Sequence, residues 1–170
     1  MAHQVWVGLD NGTTGSIGCV GNCITRCIET PIIKEQSYTK AKKIISRIDH
    51  VALKRWFVEI LNEGYQPGDI VVAIERPMIN PMRFQASISA ARALESTLCI
   101  IEDLEIPHFY VDSREWQTKM LPKGVRGAPE LKKASMDIGL RLFPDCAEVI
   151  KNHGDADNLL IAEWARRERL

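Results

Sequence analysis

The chain has 170 residues, 45% of them hydrophobic and 26% charged, which are the proportions of an ordinary soluble globular protein able to bury a real core. Lys and Arg together number 22 and so do Asp and Glu, and the zero formal net charge excludes a protein held to nucleic acid by bulk charge alone. Local basic patches remain open, so the placement of the charges decides.

One domain spanning 1–170 is expected. Residues 4–10, QVWVGLD, read as a strand, followed by the Gly-rich turn NGTTG. SIGCV forms a second strand that turns at Gly21 and Asn22 into a third, CITRCIETPII, giving an antiparallel meander. The polar stretch 34–47 reads as a loop, with room for a short strand at 43–45. Asp49 is placed to cap a helix whose apolar positions are Val51, Leu53, Trp56, Phe57, Ile60 and Leu61, and Gly64 ends it. DIVVAIE, residues 69–75, is a near-continuous apolar run, as in a strand covered on both faces. A long helical pattern covers 84–104, IPHFYV is a short buried strand, and Asp112 or Ser113 caps a helix through Met120. PKGVRGAP is a basic loop. Pro129 opens a helix to about Leu142, and a last helix runs from about Asp155 to Arg167. The order predicts an α/β fold: a mixed five-stranded sheet, meander plus two parallel strands, with helices on both faces.

The five cysteines are odd in number and show no CxxC pair, so buried free thiols are expected rather than a disulfide framework or zinc site. A soft-metal site around Cys19, Cys23 and Cys27 is conceivable on spacing alone. No basic, then apolar leader opens the sequence, and no apolar run approaches a bilayer span, so a cytoplasmic protein with no membrane partner is expected.

Asp10 and Glu75 each end an apolar strand. If those strands are parallel neighbours, the carboxylates emerge at one sheet edge, about 5 Å apart at the backbone. Two anions that close call for a cation between them, and hard oxygen donors suit Mg²⁺ or Mn²⁺. The carboxyl end of such strands is also where open α/β sheets place ligands. A plainer reading stands beside this one: each acid ends a strand and pairs with Arg76 or a lysine. A third acidic cluster, His153, Asp155 and Asp157, opens the last helix. Asp155 has a plain reading as an N-cap, whereas Asp157 lies beside the apolar stripe Leu159, Leu160 and Ala162.

VGLDNGTTGSIGCV, VVAIERP with AARALESTLCII, and ADNLLIAEWARR together resemble the RuvC-like Holliday-junction resolvases of the ribonuclease-H-like superfamily, phage-encoded members most closely. The resemblance spans nearly the whole chain. It implies a Mg²⁺-dependent endonuclease for four-way or other branched DNA, with Asp10, Glu75 and Asp157 as catalytic metal ligands. The family carries a fourth ligand three residues before the last acid, where this chain has Gly154. His153 and Asp155 flank that position and either can supply the ligand, with His153 favoured for its one-turn spacing from Asp157.

The resemblance also places Lys132 and Lys133 near the scissile phosphate. Arg76 can act likewise or neutralise Glu75. Arg83, Phe84 and Met78, in the loop after Glu75, become candidate wedge or stacking residues, although Phe84 can equally open the helix as core. Segment 34–55 holds seven cations against two acids, and segment 112–143 holds seven against four, including Lys119, Lys123 and Arg126 as candidate DNA contacts. Trp56, Phe57, Trp116 and Trp164 read as core. A homodimer is expected, because a two-fold junction needs paired nicks, and Ile88, Ala91, Leu94 and Leu98 offer either an interface stripe or plain core. Three rival readings exist: a related nuclease acting on another structured nucleic acid, a non-catalytic DNA-binding domain on the same fold, and an actin-like phosphate-binding protein suggested by LDNGTTGS. The last would need another lobe.

Overall fold

The computed structural model describes residues 4–38, 40 and 42–170. The chain opens with β1 (Val5–Asp10), β2 (Ser16–Gly21) and β3 (Thr25–Glu29), then β4 (Ile32–Gln36), β5 (Ile44–Ile48), α1 (His50–Asn62) and β6 (Ile70–Glu75). It continues through α2 (Phe84–Asp103), β7 (His108–Val111), α3 (Ser113–Met120), α4 (Ala128–Leu142), α5 (Ala147–His153) and α6 (Asp157–Glu168). Five strands form one mixed sheet in the order β3-β2-β1-β6-β7, antiparallel among the first three and parallel from β1 to β7. That is the sheet the sequence predicts.

Strand alternation divides the core between two helical layers. Val5, Val7 and Leu9 of β1, with Ile70, Val72 and Ile74 of β6, pack against Leu53 and Phe57 of α1 and Ile100 and Ile101 of α2. Trp6 and Ala73 face the other way, onto Trp116 of α3, Ile150 of α5, and Leu160 and Ile161 of α6. By the same alternation Asp10 and Glu75, two residues beyond Gly8 and Ala73, belong to the α6 face. Helix α6 lies tight on β1 because Gly8 has no side chain. A Cβ there would collide with the Asn158 carbonyl and the Ala162 amide nitrogen.

Local signals hold at several helix ends. Asp49 accepts from the Ala52 amide at 3.0 Å and caps α1. At α3 the cap is Asp112, in a reciprocal capping box with Glu115.

Three expectations need correction. Residues 34–47 are not a loop: β4 and β5 pair antiparallel as a separate two-stranded sheet, from Ile32 opposite Ile48 to Gln36 opposite Ile44. The third strand of the meander also stops earlier than predicted, at Glu29. Pro31, which has no amide hydrogen, separates it from β4. Positions 39 and 41 of the same stretch lie outside the described residues. The last helix begins at Asp157, not Asp155, and the short α5 before it was not foreseen. Gly154 sits at φ +92° between the two, a conformation in which Gly carries no Cβ penalty.

The cysteines are all free, but only Cys19, Cys27 and Cys146 are buried; Cys23 and Cys99 are exposed. Among the described residues no helix is long and apolar enough to cross a membrane.

Candidate active site

Because Leu9 pairs with Ile74 in parallel register, the next residues, Asp10 and Glu75, leave neighbouring strands side by side at the carboxyl edge. They sit on the floor of an open cleft of about 390 Å³, walled by Arg76, Met78 and Arg83 of the loop after β6 and by Ala90 of α2. Helix α6, held close by Gly8, brings Asp157 to the same edge from the opposite layer.

The electrostatics register the crowding. Asp10 is held well above the usual carboxylate range, by burial first and then by Glu75, Asp157 and Asp155, with Lys132 opposing. Glu75 is pushed up to about 7 by burial and by Asp157, against a stabilising Trp116 hydrogen bond. Asp157 is raised to about 6 by burial and by Asp155, against the Ser135 hydroxyl and Lys132. Each acid is thus hard to ionise in the presence of the others, the condition that a bound cation relieves. Among the described residues no three His, Cys, Asp or Glu side chains are set closely enough to hold a metal ion as they stand.

Asp155 is 2% exposed and occupies the break between α5 and α6. Its Oδ2 accepts from the Lys132 ammonium at 2.9 Å, and its Oδ1 lies 3.5 Å from His153 Nε2, too far for a good hydrogen bond. His153 ends α5 whereas Asp157 begins α6, so they do not share a helix face, and the spacing that favoured His153 over Asp155 does not apply. His153 packs with Ser16, Cys27 and Asn158 behind Asp155.

Three side chains that steady the acids were not assigned that role from sequence. Trp116 Nε1 donates to Glu75 Oε1 at 3.4 Å, and the Ser113 hydroxyl also bonds the Glu75 carboxylate. Ser135 donates to Asp157 Oδ1 while its oxygen accepts from the Ala156 amide at 3.1 Å. Trp116 reads correctly as core, being fully buried, but its ring nitrogen needs a partner and Glu75 provides it. The signal for Ser135 is a hydroxyl on the buried face of an amphipathic helix.

The cations divide. Lys132 faces the acids, whereas its neighbour Lys133 lines a separate shallow cleft with Lys123 and Arg126. Arg76 does not neutralise Glu75: its guanidinium pairs with Asp112 at 3.1 Å and lies over the Tyr110 ring. Lys119 stands 3.9 Å from Glu168 on α6. Phe84 is 63% exposed, so the core reading of that residue is wrong. Met78, Ile79 and Met82 are exposed beside it.

The fold has a counterpart among solved structures. T. thermophilus RuvC in complex with Holliday junction substrate aligns with TM-score 0.56 and 16% identity, covering 98% of this chain and 97% of that one. This is the RuvC-like fold. A second Thermus thermophilus RuvC structure aligns at TM-score 0.48 and 14% identity, with the same shares covered. No protein-family model matches the sequence, and no curated protein matches it either. The likeness therefore concerns the RuvC-like fold itself.

Proposed function

We propose that this RuvC-like chain is a Mg²⁺-dependent endonuclease that cuts branched DNA, four-way junctions above all, by phosphodiester hydrolysis. The observation that carries the reading is the convergence of Asp10, Glu75 and Asp157 at one strand edge, where burial and mutual repulsion oppose their ionisation. An all-carboxylate donor set fits a hard divalent ion, Mg²⁺ or Mn²⁺ in its place. Asp10, Glu75 and Asp157 are the proposed ligands, with Asp155 as the fourth in preference to His153, because Asp155 is the one that raises the other three. When bound, the metal supplies an activated water and screens charge on the phosphodiester.

The chain's own residues do the rest. Trp116 and Ser113 orient Glu75, and Ser135 orients Asp157. Lys132, tethered to Asp155, places a positive charge where negative charge builds on the phosphate. Lys133 is proposed for phosphate contact with Lys123 and Arg126, and Lys119, beside Glu168, as a further DNA contact. Arg76 and Arg83 line the cleft, and the exposed Phe84 and Met78 suit stacking against splayed bases. That T. thermophilus RuvC was solved with a Holliday junction substrate supports the junction as substrate here. A homodimer follows from the two-fold symmetry of such a junction, and the exposed Ile88 and Ala91 of α2 offer an apolar contact.

The test is incubation of labelled four-way-junction and linear duplex DNA with Mg²⁺ or EDTA. Junction cleavage with Mg²⁺ alone is expected. Cleavage of neither DNA would sink the enzyme reading, and equal cleavage of both would remove the junction preference.

A further inference from the structure

A second cleft, of about 240 Å³, lies between the base of the β4–β5 hairpin and the flank of α2, and the nuclease reading does not use it. Thr13, Ser46, Ser89 and Ser96 offer it hydroxyls, while Arg47 and Arg92 offer guanidinium groups. That is a donor set from which a phosphodiester oxygen accepts: charge-assisted N–H groups flanked by O–H groups. Arg47 shares its charge with Glu35 at 2.8 Å. Arg92 is exposed and has no ion-pair partner among the described residues.

The hairpin above this cleft is the most basic element of a neutral chain. Residues 32–48 hold Lys34, Lys40, Lys42, Lys43 and Arg47 against the single acid Glu35. The four lysines are exposed, and among the described residues none makes an ion pair. Tyr38, in the turn between the strands, is 92% exposed. Unpaired cations on a projecting two-stranded ribbon contribute nothing to a core, but they suit a polyanion running alongside. Its position is also informative. Thr13 belongs to the turn that follows Asp10, and Ser89 is next to Ala90, which lines the nuclease cleft. The two clefts are therefore neighbours along α2.

We propose that the β4–β5 hairpin and the cleft at its base form a second phosphodiester-binding site, which grips a duplex DNA arm beside the nuclease cleft. The inference rests on the nuclease reading and adds to it an arm contact separate from the carboxylates. Glu95 is the acid that lines this cleft, and it works against phosphate binding.

The experiment measures junction affinity by fluorescence anisotropy in EDTA across a salt series, with the full chain. Variants are Arg92→Gln, a combined Lys40→Gln, Lys42→Gln and Lys43→Gln protein, and Glu95→Gln. The triple variant is expected to lose about tenfold or more in affinity, with a salt dependence shallower by about 0.9 per phosphate contact removed. Arg92→Gln should flatten the slope by about one contact, and Glu95→Gln should tighten binding. Melting temperatures and Mg²⁺-dependent turnover at saturating DNA should stay at wild-type values. Wild-type affinity and slope in all three variants would overturn the second site while leaving the nuclease reading intact. Failure of the unmodified protein to bind any DNA would overturn both.

Discussion

At the scale of single residues the site is a problem of repulsion. Asp10→Asn is expected to abolish cleavage while retaining junction binding, and to raise the melting temperature in EDTA. Relieving about 1 kcal/mol of repulsion corresponds to about 2–4 °C in a domain of this size. The pH dependence follows from the sign of the shifts. Glu75 at about 7 and Asp157 at about 6 bind protons more tightly in the folded protein than in the unfolded chain, where carboxylates titrate near about 4. Their contribution to metal-free stability is therefore full below about pH 4 and is lost as pH rises towards about 7. Thermal melts in EDTA should show a lower melting temperature at pH 8 than at pH 5.5, and Mg²⁺ should close most of that gap. Trp116→Phe keeps the packing but removes the hydrogen bond to Glu75, so the Mg²⁺ concentration for half-maximal cleavage should rise by about tenfold or more. An unchanged Mg²⁺ response would make Trp116 a packing residue only.

At the scale of elements, two close approaches and one break assemble the acids. Helix α6 reaches β1 only because position 8 has no side chain, and α4 reaches the start of α6 because a Cβ at Gly139 would strike Ala156. Gly8→Ala should cost about 1–3 kcal/mol through overpacking and should depress cleavage along with the melting temperature, since displacing α6 displaces Asp157. Asp49→Ala, which removes the α1 cap on the far side of the sheet, should cost about 1 kcal/mol and leave cleavage unchanged. The paired melting and cleavage assays separate the two effects. The β4–β5 hairpin was illegible for a physical reason. It is a two-stranded ribbon whose strand β4 is exposed at four of its five positions, so no buried face imposes the alternation that identifies a strand. The α5–α6 break was hidden by a continuous polar sequence, NHGDAD, in which only the backbone at Gly154 decides where one helix ends.

At the scale of the whole molecule, neutrality conceals a division of labour. Part of the negative charge is gathered at the carboxylate edge, while the hairpin lysines, with Lys123 and Arg126, make no ion pair among the described residues. The dimer proposed for a two-fold substrate should depend on the outer face of α2. Ile88→Asp is expected to shift sedimentation from dimer to monomer and to reduce paired nicking of a junction, with each single nick still made. Leu94 and Leu98 of the same helix are not equivalent positions, since both pack against the inner core.

The sequence by itself determined the mixed sheet, the two helical layers and the three strand- and helix-end acids. Burial periodicity and cap chemistry are local, so they are legible in a sequence wherever tertiary context does not override them. Tertiary structure alone decided the company those acids keep: Trp116 on Glu75, Ser135 on Asp157, Lys132 rather than Lys133 on Asp155, and Asp112 rather than Glu75 for Arg76. Such partners lie 22 to 41 residues apart, from Ser135–Asp157 to Trp116–Glu75. They are set by parallel register and by how closely a glycine lets a helix approach, neither of which a linear pattern contains.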